Sequence, residues 1–515
     1  MKIEINEKFS YALDRLENTS EHFFITGKAG TGKSTLLKYF IETTRKEVAV
    51  LAPTGVAAVN IGGQTLHSFF GFRPDVTFDK IKKIRNEDIR EMYEVVETII
   101  IDEVSMLRAD ILDCVDKFLR LNCKGNKPFG GKQMVFFGDL YQLPPVVTSK
   151  DKALFSDIYD SPYFFSAKAM EDIKIEIIEL EKIYRQKDNV FIDLLNAIRA
   201  NEISDNHVNL LKSRCFPDKE AKIDEMILTL TARNEQANEI NRRQLELLPG
   251  RKRVFYAEIE GDFDEGSYPT EESLGLKQGT KVMLLNNDSS SRWINGTMGL
   301  VVDFEKNDDD VDILVKLETG KTVRVRPYVW NMYRYEYDKT NGKLTSHEIG
   351  SFTQYPLRLA WAITIHKSQG KTYSSVILDI GRGLFAPGQL YVALSRVTSI
   401  KGLYLKQMIE KKHIFVDWKV VKYLTGRSYA ESEKKTPFDE KVEIIQNAID
   451  NNSKLKIVYL KPNNQKSERI VIPEYIGDMY FQGKMFIGFE AYCLMRKDTR
   501  NFRVDRILEI EKVED

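Results

Sequence analysis

The chain has 515 residues, 76 Lys+Arg against 76 Asp+Glu, and no formal net charge. That balance excludes a histone-like coat, an acidic disordered tail protein and a polybasic membrane-surface binder, each of which needs a large excess of one sign. With 42% hydrophobic and 30% charged residues the chain can bury several cores, and its length argues for roughly three to five domains. No apolar run approaches the ~18 residues of a membrane span, and the opening MKIEINEKFS lacks the apolar stretch of a secretory signal, so a cytoplasmic protein without a membrane partner is expected. Cys114, Cys123, Cys215 and Cys493 have no paired CxxC spacing, which points to free thiols rather than a zinc site or a disulfide framework. The neutral total hides an asymmetry: residues 254–353 carry 11 Lys/Arg and 18 Asp/Glu, a balance of −7, whereas residues 354–430 carry 12 and 3, a balance of +9.

In chain order, the first buried-strand pattern is His22-Phe-Phe-Ile-Thr26, an apolar run rich in aromatic and β-branched residues. It leads into Gly27-Lys-Ala-Gly-Thr-Gly-Lys33-Ser34, a match to GxxxxGK(S/T) at every fixed position, followed by a helical pattern from Thr35. Glycines there let backbone N–H groups curl around phosphate oxygens, Lys33 neutralises β/γ-phosphate charge and Ser34 ligates Mg2+. Gly27, Ala29, Gly30, Thr31, Gly32, Lys33, Ser34 and Thr35 are the expected nucleotide-binding set, with ATP and Mg2+ as ligands. A strand at Val48–Ala52 comes next, then a charged, amphipathic excursion at 71–95. The run Thr98-Ile-Ile-Ile-Asp102-Glu103 brings a carboxylate pair out of a buried strand, with Asp102 as the second metal partner and Glu103 placed to orient and deprotonate an attacking water. Leu107, Ile111, Val115 and Phe118 share one face of the helix that follows. Further strands at Gln133–Gly138 and Ser375–Ile380 complete an α/β alternation, which means a parallel sheet with function at the carboxyl ends of its strands.

Two stretches break that alternation. Residues 297–350 hold a hairpin pattern, Val311–Glu318 and Lys321–Arg326 about Thr319-Gly320, read as a small β-barrel inserted into the second α/β unit. Residues 428–438 (SYAESEKKTPF) are polar and end in Pro437, which reads as a linker. Beyond it a helix with Val442, Ile445, Ala448 and Ile449 on one face precedes strand-like runs at 455–460, 468–473 and 485–494.

On these residues the chain, from about 5 to 425, resembles the superfamily-one DNA helicases of the Pif and RecD-like branch. The resemblance assigns Gly138-Asp139-Leu-Tyr-Gln142-Leu-Pro-Pro145 to the motif whose Gln senses the γ-phosphate. It assigns Leu180-Glu-Lys-Ile-Tyr-Arg185-Gln186 and Tyr391-Val-Ala-Leu-Ser-Arg396 to motifs whose arginines reach that phosphate from a second core, and it adds Gly370 to the nucleotide contacts. Lys33, Glu103, Gln142, Arg185 and Arg396 are then the catalytic set. Single-strand contacts fall on three segments, 52–58 (Pro53, Thr54, Gly55), 65–70 (His67, Ser68, Phe69) and 364–372 (Thr364, His366, Lys367), which are rich in hydroxyls, glycines and histidines and poor in cations. Such a set grips a phosphodiester chain mainly through neutral hydrogen bonds and helix N-termini and leaves base identity largely unread. Where the family has an adenine-reading Gln near its start, this chain has Ile5-Asn-Glu-Lys-Phe-Ser, which leaves nucleotide preference open.

The resemblance implies two RecA-like P-loop cores with parallel sheets (1–178; 179–296 with 351–427), a wedge excursion at 71–95, an inserted SH3-like barrel (297–350), a linker (428–438) and a WYL-like, Sm-like β domain (439–515). The last rests on Lys456-Ile-Val-Tyr459, Arg469-Ile-Val-Ile-Pro473 and Arg500-Asn-Phe-Arg503-Val-Asp-Arg506-Ile507, with Met485-Phe486-Ile487 where that module has its naming residues. Arg469 with Arg496, Arg500, Arg503 and Arg506 suggests a single-strand or small-nucleotide contact there, with simple docking as the alternative. The implied activity is ATP-driven 5′→3′ translocation on single-stranded DNA and unwinding at forks, by a chain that is a monomer in solution. A different class stays open: a P-loop switch, or nucleotide-responsive regulator, with the C-terminal domain as its sensor.

Overall fold

The computed structural model describes residues 4–513 apart from 74, 148–154, 156, 217–225, 307–310, 339–340, 342 and 482, so those parts of the expected cores, wedge and barrel lie outside the described residues. Contacts divide the chain into two compact units, residues 1–198 with 203–415, and residues 199–202 with 416–515.

Six strands open the first unit: β1 (His22–Gly27), β2 (Val48–Ala52), β3 (Gln64–Thr65), β4 (Thr98–Ile101), β5 (Gln133–Phe137) and β6 (Ile175–Leu180). They form an all-parallel sheet in the order β3-β2-β4-β5-β1-β6. The inner strands β1, β2, β4 and β5 are largely apolar runs because both of their faces are covered, whereas the edge strands β3 and β6 carry polar residues. On one face, Phe9, Ala12 and Leu16 of the helix Glu7–Asn18 and Leu36, Leu37 and Phe40 of the helix Lys33–Thr43 close over Phe23, Ile25, Ile100 and Val135. Since β4, β5 and β1 are neighbours, the loops leaving their carboxyl ends converge, and these loops carry Asp102-Glu103, Gly138–Gln142 and the phosphate loop.

The second α/β sheet begins with β7 (Leu228–Thr231). The chain then leaves through the helix Asn234–Leu247 into antiparallel structure: β8 (Arg253–Tyr256), β9 (Glu258–Gly261), β10 (Ser273–Leu276), β11 (Lys281–Leu284), β12 (Met298–Lys306), β13 (Val311–Leu317), β14 (Thr322–Val325), β15 (Tyr328–Asp338), β16 (Lys343–Gln354) and β17 (Leu357–Leu359). It returns as β18 (Ala362–Thr364), β19 (Val376–Asp379) and β20 (Leu403–Leu405), which with β7 make a parallel sheet ordered β18-β7-β19-β20.

The expected hairpin at 311–326 is present as β13 and β14, but the insertion is divided differently from 297–350. Its five-stranded sheet, β14-β13-β12-β11-β17, recruits strands on either side of that range and closes over Leu284, Val301, Ile313, Val315 and Leu357. β15 and β16 leave it altogether and pair with each other and with β9. At 11 and 12 residues these strands are too long for a small barrel wall, and their far end packs on the first sheet instead. There Tyr335 Oη accepts from Val50 N (3.2 Å), Leu344 N donates to Glu47 Oε2 (2.9 Å), and the Tyr335 ring meets Phe69 edge-on at 5.7 Å.

In the second unit, β21 (Leu455–Leu460), β22 (Lys466–Phe481), β23 (Lys484–Cys493), β24 (Asp498–Arg503) and β25 (Ile507–Lys512) form an antiparallel sheet ordered β24-β23-β22-β21-β25. Ile445 and Ala448 of the helix Phe438–Asp450 are buried against Leu455, Val471, Phe489 and Ile510, the face its periodicity picked out. The stretch 428–438 is not an extended linker, because the helix Trp418–Lys435 runs through most of it. A buried hydroxyl pins that helix to the sheet: Ser432 Oγ lies within reach of the carbonyls of Ile507 (2.9 Å) and Leu508 (2.7 Å), which share its one proton, and Lys441 Nζ donates to it (2.8 Å). All four cysteines are free, and Cys114 and Cys493 are buried. Among the described residues no helix is long and apolar enough to cross a membrane. Ser432→Ala strands the Lys441 ammonium and two carbonyls and is expected to destabilise this unit by about 1–3 kcal/mol, measured as a lowered denaturation midpoint of the transition that includes the C-terminal sheet.

Candidate nucleotide and nucleic-acid site

The phosphate loop leaves β1 and enters the helix Lys33–Thr43 through Gly32, whose φ of 89° is left-handed. Thr31 Oγ1 donates to Lys28 O at 2.9 Å, which tightens the loop, and Lys33 Nζ folds back onto the carbonyls of Gly27 (2.7 Å) and Lys28 (3.1 Å). Ser34 and Thr35 sit exposed in the first turn of that helix. Asp102 and Glu103 follow β4, with Glu103 in a left-handed conformation at φ 50°, ψ 41°. Burial first, and the neighbouring Glu103 charge second, push the Asp102 carboxyl up to about 7, while the Glu103 amide and Lys33 oppose the shift. Glu103 is raised by burial too, against Lys33, a hydrogen bond from Gln369 and Arg396. A half-buried carboxylate whose ionisation is disfavoured until a cation arrives, with a serine hydroxyl in the first turn after the phosphate loop, offers oxygen donors that fit Mg2+.

Loops leaving both sheets contribute to the same cleft. Gln142 is buried on the loop after β5. Arg185 follows β6 and lies between the sheets, where its Nη1 and Nη2 reach the carbonyls of Ser395 (3.2 Å) and Gly370 (3.5 Å). Arg396, 1% exposed, follows the helix Gln389–Leu394; its Nε donates to Val392 O (2.9 Å) and its Nη1 reaches Ser368 O (3.5 Å) and Lys371 O (3.3 Å). Burial depresses both guanidinium groups, and Arg185 adds to the shift at Arg396, with Glu103 and Tyr391 opposing it. Both remain cations, since arginine does not titrate in the physiological range.

Three residues that the sequence reading gave no role complete the cleft. Tyr391 Oη accepts from the phosphate-loop amide of Ala29 at 2.9 Å. Gln186 Nε2 donates to Ser395 O and Val397 O, both at 3.1 Å, and so fixes the Arg185 strap to the loop carrying Arg396. Gln369 Nε2 donates to Glu103 Oε2 at 2.8 Å and lies 3.4 Å from Gln142 Oε1. All three stand inside segments that the motif reading had quoted; their partners lie 209 to 362 residues away in sequence, and no local signal identifies such a partner. Near the chain start, Asn6 caps the first helix through Phe9 N (2.9 Å) and its Nδ2 donates to Tyr184 Oη (3.0 Å), where a base-reading Gln had been looked for.

The expected single-strand contacts fall into two groups. Pro53, Gly55, His67 and Ser68 line one cleft of about 1240 Å3, together with Arg108 and Arg334. Thr54 lies beside it as the cap of the helix Gly55–Ile61, accepting from Ala57 N (3.3 Å). Burial lowers the pKa of His67, with Arg108 adding to it, so the ring is neutral at neutral pH. Phe69 does not face this cleft: it is 4% exposed and packed edge-on against Phe70, Tyr93 and Tyr335, because the long hairpin covers it. In the second sheet Thr364 is buried and its Oγ1 accepts from Lys367 N (3.3 Å), His366 stacks on Phe385 at 6.3 Å, and Lys367 is exposed; none of these three lines the first cleft. In the C-terminal unit Arg469 and Arg500 line a cavity of about 330 Å3 with Tyr459, Lys461 and Ser467, whereas Arg503 is paired with Asp505 at 2.9 and 2.6 Å.

A P-loop sheet facing a second parallel α/β sheet, with arginines of the later segments in the shared cleft, defines a two-core P-loop protein. Residues 4–209 match the PIF1-like helicase family and residues 440–512 the WYL domain. The ATP-dependent DNA helicase Pif1 of Bdellovibrio bacteriovorus is 32% identical over 435 residues, covering 82% of this chain and 92% of that protein. Human ATP-dependent DNA helicase PIF1 is 35% identical over 393 residues, 74% of this chain, and the match spans 58% of the human protein. Bacteroides sp Pif1 in complex with ADP-AlF4 superimposes with a TM-score of 0.76 at 36% identity, covering 83% of this chain and 98% of that one. The chain belongs to the PIF1-like helicase family. For the phosphate loop, Gly30→Ala is the informative substitution: φ is +83° and an added Cβ would lie 2.6 Å from Arg185 Cβ. The strain of about 1–3 kcal/mol is expected to weaken ATP binding about ten-fold or more, measured by titration with a fluorescent nucleotide.

Proposed function

We propose that the protein is an ATP- and Mg2+-dependent DNA helicase that moves 5′→3′ along single-stranded DNA and unwinds duplexes at forks. The observation that carries this reading is the supply of Arg396 from the second sheet's side to the cleft that holds the phosphate loop, where it meets the Arg185 strap leaving β6. An engine that converts hydrolysis into motion benefits when charges that stabilise the transferring phosphoryl close in from a second body around intact nucleotide. A switch needs no such pair, so the sensor reading is not favoured. Kinship supports the proposal: Pif1 from Bacteroides has been solved bound to ssDNA, and a further similar structure concerns DNA unwinding at forked dsDNA by two coordinating Pif1 helicases.

On this reading Gly27, Ala29, Gly30, Thr31, Gly32 and Thr35 cradle the phosphates with Gly370, and Lys33 neutralises them. Ser34 and Asp102 would hold Mg2+, which would supply neutralisation of phosphate charge. Glu103 orients the attacking water and takes its proton, Gln142 faces the γ-phosphate, and Arg185 and Arg396 turn from backbone carbonyls to the developing negative charge. Pro53, Thr54, Gly55, His67, Ser68, His366 and Lys367 contact the strand, while the buried Phe69 and Thr364 shape the turns that present them. We further propose two RecA-like cores with a wedge at 71–95 within the first unit, action as a monomer, and a cytoplasmic location.

Steady-state ATPase should rise at least about ten-fold on adding single-stranded DNA; equal turnover with and without DNA would sink the motor reading. Lys33→Ala should lose about a hundred-fold or more of that turnover and still bind single-stranded DNA in a filter assay. Duplexes with a 5′ single-stranded tail should be unwound, and efficient unwinding from 3′ tails alone would reject the direction.

A further inference from the structure

The turn that follows β18 is held from both sides of the nucleotide cleft. Ser368 N and Oγ donate to Ile365 O (3.2 and 2.7 Å), Gln369 N to His366 O (3.1 Å) and Lys371 N to Ser368 O (3.1 Å), so residues 365–371 form one closed turn. Its outward carbonyls are gripped by the two arginines, Ser368 O and Lys371 O by Arg396 and Gly370 O by Arg185. From the middle of the turn the Gln369 amide enters the space between Glu103 (2.8 Å) and Gln142 (3.4 Å). Those are the two side chains that the proposed mechanism needs for the attacking water and the γ-phosphate. The amide takes one acceptor site of the Glu103 carboxylate and, within hydrogen-bond reach of both side chains, competes with a water for the space between them. His366 and Lys367, the proposed strand contacts, are three and two residues back in the same turn.

We propose that Gln369 is a positioning residue that blocks the water site when no strand is bound and withdraws when DNA engages His366 and Lys367, so that track occupancy gates hydrolysis. This rests on the helicase reading above. One displacement of the turn frees Glu103, Gln142, Arg185 and Arg396 together, because all four touch it. A turn closed by its own hydrogen bonds moves as a unit, which lets a contact at Lys367 be felt at Glu103.

The test compares wild-type full-length chain with Gln369→Met, which keeps length and removes the amide, and Gln369→Glu, which is isosteric and repelled by Glu103. Turnover without DNA is expected to rise about ten-fold in both, the weight of one charge-assisted hydrogen bond. Turnover saturated with single-stranded oligonucleotide should stay within about two-fold, so the stimulation ratio falls. The KM for ATP and the oligonucleotide Kd should be unchanged, which a general loosening of the fold would not leave so. DNA-free turnover that stays at the wild-type level, or falls, overturns the proposal, as does a ratio kept in both variants. A wild-type enzyme indifferent to DNA overturns the helicase reading along with it; a stimulated wild type with unaltered variants overturns the Gln369 role alone.

Discussion

Five charged side chains, Lys33, Asp102, Glu103, Arg185 and Arg396, are half-buried or buried in one cleft, and the first unit is organised around keeping them compensated. Removing an isolated ion from water costs several kcal/mol even after relaxation, on the order of what a whole domain has to spare. Here each has backbone or side-chain partners: Lys33 rests on its own loop, Arg396 on the carbonyls of Val392, Ser368 and Lys371, and Glu103 on Gln369. Those partners are polar groups that a triphosphate and Mg2+ would replace.

That arrangement explains why the two sheets meet through loops rather than through an apolar face. Strand order places β1, β4 and β5 side by side, so their three loops present one polar edge, and the later sheet answers with the turn after β18 and the helix carrying Tyr391. Contacts of this type exchange partners at little net cost, since each lost carbonyl bond is replaced by a bond to phosphate or water. An apolar contact of equal area would have to be pulled open against the hydrophobic effect at every cycle. The long β15–β16 hairpin contrasts with this. It seats Tyr335 against Phe69 and fixes Leu344 to Glu47, so it forms a durable brace between the insertion and the edge of the first sheet.

What the sequence disclosed follows the same division. Continuous apolar runs announced β1, β2, β4, β5 and β19, since a strand buried on both faces has no other composition available to it. The phosphate loop and Asp102-Glu103 were legible because their chemistry is local, a few residues after one strand. The roles of Gln369, Tyr391 and Gln186 were not, for each acts on an atom more than 200 residues away, and periodicity records only neighbours. Phe69 was read as a strand contact because it adjoins His67 and Ser68; only the hairpin arriving from 328–354 decides that its ring is core. The stretch 428–438 looked like a linker by polarity, and one buried hydroxyl at Ser432, unremarkable in composition, pins its helix to the sheet.

The charge balance acquires a physical meaning on the proposed function. The cleft lined by His67 and Ser68 also contains Asp110, Asp262 and Asp264 beside Arg108 and Arg334, so it is a mixed surface and not a basic trough. Burial keeps the imidazoles of His67 and His366 neutral. A strand held there is gripped by hydroxyls, amides and neutral rings, whose bonds form and break without expelling many counterions. A uniformly cationic channel would bind more tightly and release more slowly at each step. The +9 of residues 354–430 is set off within the same chain by the −7 of residues 254–353, so attraction for the phosphate backbone stays local to the turns that must let it go.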